Sequence, residues 1–484
     1  MTTQMTTTET TNAANTKRMI IGLGLSGLSC ARFAQRQGWS FDLCDSRETP
    51  PGLADIQQEF PQSRIYCGNL NGELLVSYDE LIVSPGVALA EPAIQQAIEA
   101  GVAISGDIQL FKEHVNKPVI AITGSNGKST VTSLVGDMLN QCGLKARVGG
   151  NIGLPALDLT DNDEADIYVL ELSSFQLETT TNLNAEAVTI LNLSEDHMDR
   201  YQGMSDYLAA KQRIFQGAKR VVVNSDDQAT LPDNTNCNIA FSLNSDGSSR
   251  FYLKNHDGID YLYREQQRLL SADDIKIKGR HNLANVLAAL ALVDAVCETL
   301  GIQLEQSLPA IREFPGLAHR CQWVANLNGV DCYNDSKGTN VGSTLAAVNG
   351  LGTGAKGKIW LLAGGVDKGQ SFDELVQPCQ QYVAEVLLYG RDAKNIQQDF
   401  MQDGKALCKS HIFDSMDQAF ATALQNAEAG DLILLSPACA SFDQFRNYAV
   451  RGEYFRQLVM AANEQASDKL SAGTVNDERE MNHD

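Results

Sequence analysis

Residues 118–130 have the composition and spacing of a phosphate-binding loop. The apolar run from Pro118 to Ile122 predicts a buried strand, and the run from Lys128 to about Cys142 predicts a helix. Small residues between them let backbone N–H groups converge on phosphate oxygens, the helix N-terminus attracts anions, and a lysine supplies a mobile cation. Ile122 stands where the usual pattern has its first glycine. The residues predicted to bind a nucleoside triphosphate here are Gly124, Ser125, Asn126, Gly127, Lys128, Ser129 and Thr130.

Two polar groups follow further apolar runs. Glu171 lies near the end of the apolar run from Ile167 to Leu172, at the sheet edge that a neighbouring phosphate loop would share. It could hold Mg²⁺ beside the Ser129 hydroxyl, although a carboxylate at a strand end is more often solvated or paired with a cation. His197 lies in a polar segment after the run from Ala187 to Leu191. A lone histidine in a loop does not by itself indicate a metal ligand.

A glycine-rich turn follows the first predicted strand, Arg18 to Gly22. The segment Gly22-Leu23-Gly24-Leu25-Ser26-Gly27 has the spacing G-x-G-x-x-G, and Asp45 closes the next strand. This is the pattern of a dinucleotide-binding domain, in which the acid contacts a ribose hydroxyl. The same turn accepts any nucleotide diphosphate, and we do not expect NAD.

The composition is typical of a multidomain globular enzyme. The 484 residues are too many for one ordinary core, with 43% hydrophobic and 20% charged residues. No run of roughly 18 uninterrupted apolar residues predicts a membrane span. The formal charge of −22 argues against broad binding to nucleic acid or membranes. Eleven cysteines without a C-x-x-C pair predict reduced thiols in a cytoplasmic protein. We expect a monomer that binds small molecules and does not insert into a membrane.

Strands that alternate with helices predict an α/β fold with parallel sheets in three domains. Residues 18–110 are expected to form a Rossmann-like domain, residues 111–316 a central P-loop ATPase-type domain, and residues 317–463 a second Rossmann-like domain. Predicted strands include Phe41 to Asp45, Glu80 to Ser84 and Leu432 to Leu435, and the last helix is expected from Asn447 to about Ala461. The polar segments 1–17 and 464–484 are predicted to be disordered tails.

Several short motifs follow one another between Arg18 and Ala462. Besides the glycine turn and the phosphate loop, they are Gly149-Gly150-Asn151-Ile152-Gly153, Glu171-Leu172-Ser173-Ser174-Phe175-Gln176-Leu177, residues 192–200, Gly279-Arg280-His281-Asn282, His319-Arg320, Asn334-Asp335-Ser336-Lys337 and residues 435–441. In this order they resemble the Mur ligase family, the ATP-dependent amide ligases that build the peptidoglycan stem peptide. Ser84-Pro85-Gly86-Val87 and Gly364-Gly365-Val366-Asp367-Lys368 resemble the member that adds D-glutamate to UDP-N-acetylmuramoyl-L-alanine.

The resemblance implies a role for each matching residue. The UDP-substrate would contact Leu25, Ser26, Ser46, Arg47 and Gly86, with Asn151 and Ser173 at its muramoyl-alanine end. ATP would contact the phosphate loop and also Asn282, Asn285, Arg320 and Asp335. D-glutamate would lie among Lys337, Thr339, Lys368, Ser441 and Phe442, because its two carboxylates need cations and hydroxyl donors. Two Mg²⁺ ions would bind Ser129, Glu171, His197 and Lys211, and the catalytic residues would be Lys128, His197 and Lys211.

Lys211 has two interpretations. On sequence alone it is a lysine on the surface of a helix. Proteins that resemble this chain carry a carbamylated lysine at the matching position. A neutral amine can add CO₂, which converts a cation into an anionic oxygen ligand for a metal ion.

The resemblance implies two chemical steps. The L-alanine carboxylate attacks the γ-phosphorus of ATP, and the D-glutamate amine then attacks the acyl phosphate and releases phosphate. Three alternatives remain open: another Mur or folylpolyglutamate-type ligase, a nicotinamide-dependent oxidoreductase, and a switch or motor ATPase. An oxidoreductase would not explain the phosphate loop. A switch or motor ATPase would not explain the nucleotide-binding pattern of the first domain.

Overall fold

The computed structural model describes residues 16–161, 164–232, 238–244, 249–353, 355–402 and 404–480. These residues fold into three large sheets that follow one another in sequence, each covered by helices, and one small two-stranded hairpin. Residues 1–15, which make up most of the predicted N-terminal tail, lie outside the described residues.

The first sheet is parallel and has the strand order β3-β2-β1-β4-β5. Its elements are β1 (Arg18–Ile21), α1 (Leu25–Arg36), β2 (Phe41–Asp45), α2 (Leu53–Glu59), β3 (Ile65–Cys67), α3 (Gly72–Val76), β4 (Glu80–Val83), α4 (Pro92–Glu99), β5 (Ala103–Ser105) and α5 (Asp107–His114). The strand β1 is buried throughout. Its two neighbours connect in opposite directions, which creates a crevice at their carboxyl ends where ligands bind in such folds.

The second sheet has nine strands in the order β14-β13-β12-β11-β10-β9-β6-β8-β7. Its strands are β6 (Val119–Thr123), β7 (Ala146–Gly150), β8 (Ile167–Glu171), β9 (Ala187–Ile190), β10 (Arg220–Asn224), β11 (Asn238–Ser242), β12 (Phe251–His256), β13 (Ile259–Arg264) and β14 (Gln267–Ser271). Its helices are α6 (Lys128–Gln141), α7 (Ser174–Glu178), α8 (Met204–Gln212), α9 (Arg280–Leu300) and α10 (Leu308–Glu313). The strands from β6 to β12 pair in parallel, and β12, β13 and β14 form an antiparallel meander.

The third sheet has the order β15-β16-β22-β17-β18-β21 and is parallel except for the edge pair β15 and β16. Its strands are β15 (Gln322–Leu327), β16 (Val330–Asn334), β17 (Ile359–Gly364), β18 (Val383–Tyr389), β21 (Ser410–Phe413) and β22 (Leu432–Leu435), with β19 (Met401–Gln402) and β20 (Lys405–Ala406) as a separate hairpin. Its helices are α11 (Val341–Gly352), α12 (Val376–Tyr382), α13 (Ala393–Asp399), α14 (Met416–Asn426) and α15 (Tyr448–Glu480).

The first two sheets share a hydrophobic core, and the third has cores of its own. One cluster joins Ile20 and Phe111 to Leu170 and Val188, so it continues from the first sheet into the second. The clusters around Leu361 and around Ile433 contain residues of the third sheet and its helices. Burial therefore ties together the first two units, each a sheet with its helices. The third unit contacts the second through the packing of α11 against α9 and through polar side chains at the site described below.

The helices α15 and α9 differ from what their sequences alone suggest. The helix α15 runs from Tyr448 to Glu480, past Ala461, where the sequence predicted its end. The disordered tail from residue 464 stays a prediction. This segment lacks apolar periodicity but contains many good helix formers, which can extend an existing helix. Among the described residues, α9 alone is long and apolar enough to cross a membrane, with a mean hydropathy of 1.8 over its best window. That window is 67% buried inside the protein, as expected of a core helix.

Candidate active site

The carboxyl ends of three adjacent strands form the centre of the site. In the second sheet β6 lies between β8 and β9, and all three run parallel. The phosphate loop follows β6, Glu171 ends β8, and the polar segment 192–200 follows β9. The sheet therefore brings together the three groups of residues that the sequence singled out.

Two glycines shape the phosphate loop. Gly124 and Gly127 have φ angles of +147° and +81°, a region that L-residues with side chains rarely adopt. A Cβ atom at position 127 would also approach Oδ1 of Asn285 too closely, so a larger residue there would force that side chain to move. The helix α6 begins directly after Gly127, and its free N–H groups point toward the loop.

The segment after β9 holds the loop in place. The Ser125 hydroxyl donates to the Ser194 carbonyl at 2.9 Å, and the Asn126 N–H donates to Oδ1 of Asn192 at 2.8 Å. Asn192 returns a bond from Nδ2 to the Asn126 carbonyl at 3.0 Å. The loop is thus fixed by protein contacts, which favours binding because little ordering remains to be done.

Lys128 folds back over the loop. Its Nζ donates to the carbonyls of Gly124 and Ser125, both at 2.9 Å. Burial lowers the pKa of Lys128, against the opposing effect of the carboxylates of Glu171 and Asp196. A partly buried ammonium group satisfied mainly by carbonyls gains more from an anionic partner such as a phosphate.

Glu171 carries a carboxylate oxygen without a partner. Its side chain is buried, Oε1 accepts from Nδ2 of Asn151 at 2.7 Å, and Oε2 has no hydrogen bond in the part of the chain that the structure describes. Among these residues no three His, Cys, Asp or Glu side chains lie together as a ready-made metal site. Mg²⁺ needs no such cluster, because it binds one or two carboxylates and completes its shell with water and phosphate oxygens. The orphaned oxygen beside the phosphate loop fits Mg²⁺.

Lys211 is buried under the phosphate loop and does not lie on the protein surface. Its side chain is 1% exposed, and Nζ donates to the Gly124 carbonyl at 3.0 Å and more loosely to Oγ1 of Thr123 at 3.5 Å. The ammonium group also lies 4.5 Å from the centre of the Tyr207 ring. Burial, reinforced by repulsion from Lys128, lowers the pKa of Lys211 well below its ordinary value. This environment favours a neutral amine.

Asp196 connects the second unit to the third. Its carboxylate accepts from Nζ of Lys368 at 2.9 Å and from Nδ2 of Asn340 at 3.1 Å. Lys368 also donates to Oγ1 of Thr339 at 3.3 Å. Burial alone would raise the pKa of Asp196, but Lys368 and His197 outweigh it and the pKa is lowered. The neighbouring His197 has a φ of +60° and a pKa lowered by burial.

The third unit also reaches the phosphate loop. Nη2 of Arg320 donates to the Ser129 hydroxyl at 2.5 Å. Lys337 lies 4.0 Å above the Tyr448 ring, and burial together with Arg320 lowers the pKa of Lys337 to about 8. Asp335 is buried beside them. Cations from two units thus converge on one place in a protein whose net charge is −22, which favours a polyanionic ligand.

A cavity of about 850 Å³ opens between the second and third units. This volume lies within the usual range for small-molecule sites. Of the residues predicted to bind ATP, its lining includes Asn126, Gly127, Thr130, Asn282, Asn285, Arg320 and Asp335. The amide of Asn285 donates to that of Asn282 at 3.2 Å, so the two predicted adenine contacts lie together.

The residues predicted for the UDP part lie along the carboxyl edge of the first sheet. They follow β1, β2 and β4, and they are Leu25, Ser26, Ser46, Arg47 and Gly86. Leu25 is 78% exposed, which is unusual for a leucine and leaves it available to a ligand. Asp45 accepts from the Leu23 N–H at 2.7 Å and from the Arg47 guanidinium at 2.7 and 2.8 Å. The Asp45 carboxylate is therefore bound by protein groups. In a dinucleotide site the matching acid binds a ribose hydroxyl of the ligand instead.

Some predicted residues lie apart from the cavity, and other important ones were missed. Phe442 is 73% exposed, whereas Tyr448, which the sequence analysis did not single out, covers Lys337. Ser173 caps α7 by accepting from the Gln176 N–H at 3.2 Å, and Ser441 is buried. Asp196 was part of a noted polar segment, but its bond to Lys368 spans 172 positions, which no local pattern could reveal.

Comparison with known proteins agrees with this architecture. Three family models match successive parts of the chain: a MurD-like N-terminal domain of Mur ligases at residues 16–106, a Mur ligase middle domain at 122–293, and the glutamate ligase domain of Mur ligases at 319–439. The UDP-N-acetylmuramoylalanine--D-glutamate ligase of Pseudomonas putida is 48% identical over 450 residues, which are 92% of this chain and 98% of that protein. The enzyme of the same name from Nitrosococcus oceani is 46% identical, with 91% and 96% covered.

Solved structures support the fold. MurF from Acinetobacter baumannii aligns with a TM-score of 0.60 at 15% identity, covering 94% of this chain and 98% of that one. A pseudomurein peptide ligase from Methanothermus fervidus aligns with a TM-score of 0.58 at 17% identity, covering 92% and 100%. With relatives 46–48% identical over more than nine-tenths of its length, the chain belongs to the Mur ligase family.

Proposed function

We propose that this protein is an ATP-dependent C–N ligase that adds D-glutamate to UDP-N-acetylmuramoyl-L-alanine in the cytoplasm. The observation that carries the proposal is the convergence of the phosphate loop, the orphaned carboxylate of Glu171 and the Asp196–Lys368 contact at one interface between two units. The relatives that bear this name cover more than nine-tenths of the chain, so all three units are shared with them.

ATP binding is supported by the cavity and its charges. The phosphates would lie at the N-terminus of α6, where Lys128 can turn from the loop carbonyls to phosphate oxygens. Arg320 would exchange its bond to Ser129 for the same phosphates. The adenine of ATP would lie at Asn282 and Asn285, and Asp335 would bind the ribose hydroxyls.

Metal binding is supported by oxygen and nitrogen donors near the phosphate loop. Glu171 would hold one Mg²⁺ with the Ser129 hydroxyl, and His197 with a carbamate on Lys211 would support a second. Lys211 suits this chemistry because its buried amine, when neutral, can add CO₂ and release a proton as the N–C bond forms. Bound Mg²⁺ would neutralise phosphate charge and allow the anionic carboxylate to approach.

The chain's own residues then serve two successive reactions. In the first, the L-alanine carboxylate attacks the γ-phosphorus, ADP leaves, and Lys128 and Arg320 stabilise the charge on the transferring group. In the second, the D-glutamate amine attacks the acyl phosphate, and phosphate leaves. The contact of Asp196 with Asn340 joins the second and third units and does not depend on Lys368. Closure of the two units around the substrates would exclude water, which would otherwise hydrolyse the intermediate.

Recognition of D-glutamate is supported by the position of the third unit's cations. Lys368, Thr339 and Lys337 lie on the side of the interface that faces Asp196 and the phosphate loop. A substrate carboxylate would replace Asp196 as the anion beside Lys368. An amino acid with a neutral side chain would leave the largely shielded Lys368 ammonium facing an uncharged group, which costs more than the lost contact alone.

The test is direct. The protein is incubated with ATP, Mg²⁺ and UDP-N-acetylmuramoyl-L-alanine, amino acids are added one at a time, and phosphate release is followed. We expect release with D-glutamate and almost none with D-glutamine or L-lysine. Equal rates with another amino acid would assign the protein to a different Mur ligase, and release without the UDP-substrate would contradict ligation.

A further inference from the structure

Arg200 connects the first unit to the loop that carries His197. Its Nη1 donates to the Pro85 carbonyl at 3.0 Å, and Nη2 approaches the Val87 carbonyl at a longer 3.5 Å. These carbonyls flank Gly86, which the proposed function places at the UDP-substrate. A side chain of the second unit thus holds a binding loop of the first.

The guanidinium is held firmly in this position. Nη2 also pairs with Oε2 of Glu178 at 2.6 Å, and the other carboxylate oxygen accepts from the Tyr201 hydroxyl at 2.6 Å. The side chains of Arg200 and Glu178 are only 14% and 17% exposed. An ion pair that is largely shielded and fixed by further hydrogen bonds has a defined geometry, unlike an exposed pair.

The other end of this contact lies beside His197. The Arg200 guanidinium lies 4.1 Å from the centre of the Phe175 ring, and that ring packs edge-on against His197 with centroids 4.8 Å apart. The N–H groups of Arg200 and Tyr201 both donate to the His197 carbonyl, at 2.9 and 3.1 Å. His197 has a positive φ, so its conformation depends on such support.

The loop 84–87 has a second support within its own unit. The Ser84 hydroxyl donates to the Gly22 carbonyl at 2.7 Å, in the glycine turn at the start of α1. A ligand that binds along this edge therefore meets a loop held by the glycine turn on one side and by Arg200 on the other.

We propose that Arg200 is a positioning residue that couples the UDP-substrate loop to the His197 loop. Through the Pro85 carbonyl it fixes the loop that receives the nucleotide part of the substrate. Through Phe175 and the turn at residues 197–201 it orients His197 at the reacting end of the same substrate. One side chain would thereby align two ends of a long ligand. This inference rests on the proposed function of the site.

The test compares two arginine-to-lysine variants. Lysine in Arg200→Lys can still pair with Glu178, but it cannot also reach the carbonyls and stack on Phe175. Arg36→Lys is the matched control, because Arg36 crosses the same boundary to Asp161 and the Leu157 carbonyl, in a different part of the interface from residues 84–87. Both variants therefore replace a guanidinium group that links the first two units by an ammonium group.

We expect Arg200→Lys to raise KM for the UDP-substrate by about tenfold or more, the factor that corresponds to one lost hydrogen bond to a charged group. We also expect kcat to fall by a similar factor, while KM for the amino acid stays within about twofold. Arg36→Lys should leave all three constants within about twofold. Methylguanidinium added to Arg200→Ala should restore part of the lost rate by refilling the contacts with Glu178 and Pro85. A merely structural role would lower the amount of active protein and leave KM for the UDP-substrate unchanged.

Three results would overturn the coupling: an unchanged KM for the UDP-substrate, an unchanged kcat, or equal effects of the two lysine variants. Calorimetry of the wild-type protein with UDP-N-acetylmuramoyl-L-alanine separates this inference from the proposed function. If the wild type does not bind that ligand, the proposed function fails. If it does, the ratio of variant to wild type tests Arg200 alone.

Discussion

Replacement of Asp335 by asparagine should make the ligand-free protein more stable at neutral pH. Asp335 follows β16, and its carboxylate accepts from the Ser436 hydroxyl at 2.8 Å and from the Cys321 N–H at 3.1 Å. Burial raises its pKa to about 7, despite these bonds and the nearby Arg320. Asparagine can accept from the Cys321 N–H and donate to Ser436, so Asp335→Asn removes the buried charge and keeps the contacts.

The size and sign of the effect follow from proton linkage. An unfolded aspartate has a pKa near 3.9, so a folded value of about 7 costs the folded state roughly 4 kcal/mol once the group is ionised in both states. The folded state binds more protons than the unfolded state between these values. Wild-type stability therefore falls as pH rises from about 4 to 7, and this contribution is constant above pH 7.

Thermal unfolding of both proteins between pH 5 and 8.5 measures this difference. We expect the melting temperature of Asp335→Asn to exceed that of the wild type by an amount that grows up to about pH 7 and reaches several degrees. The control is Asp331→Asn, on the same sheet but partly exposed. A difference in melting temperature that does not change with pH, or a variant less stable at pH 8, would refute the reasoning.

The Asp335→Asn variant should also bind ATP more weakly, because the ribose loses its charged partner.

Two further predictions concern the phosphate loop. Lys128→Ala should abolish ADP formation and leave the calorimetric affinity for the UDP-substrate within about twofold, because the two sites lie on different sheets; an equal loss of that affinity would contradict the separation. Lys211→Ala should lose most ADP formation, and acetate or formate at constant ionic strength should restore part of it by replacing the carbamate oxygens. Near-normal turnover of the latter variant without additive would show that no carbamate is needed.

The sequence predicted those parts of the fold that depend on local pattern. The strands β2 and β22 lie at the predicted residues. The run Leu432–Leu435 is apolar throughout, and β2 carries the apolar residues Phe41, Leu43 and Cys44 before the turn. The three-residue strands β3 and β5 and the antiparallel edge pair β15 and β16 were missed. Short strands carry too few residues for periodicity, and edge strands are only partly buried, so their pattern is weak.

The site could be predicted only in part, for a related physical reason. The phosphate loop is a contiguous motif, and its backbone requirements appear directly as glycines. The burial of Lys211 depends on the way α8 packs under a loop more than eighty residues earlier in the chain. The contacts of Arg200 with residue 85 and of Lys368 with Asp196 join segments more than a hundred positions apart. Tertiary packing creates these environments, and a single sequence shows only the residue types that enter them.

The central claim is that a substrate carboxylate is activated by ATP and then captured by the D-glutamate amine. The most direct measurement uses UDP-N-acetylmuramoyl-L-alanine whose terminal carboxylate carries oxygen-18. With ATP, Mg²⁺ and D-glutamate, attack by that carboxylate on the γ-phosphorus predicts that the released phosphate contains a labelled oxygen and that the amide product has lost one. Unlabelled phosphate, or labelled phosphate formed just as fast with D-glutamine, would contradict the account.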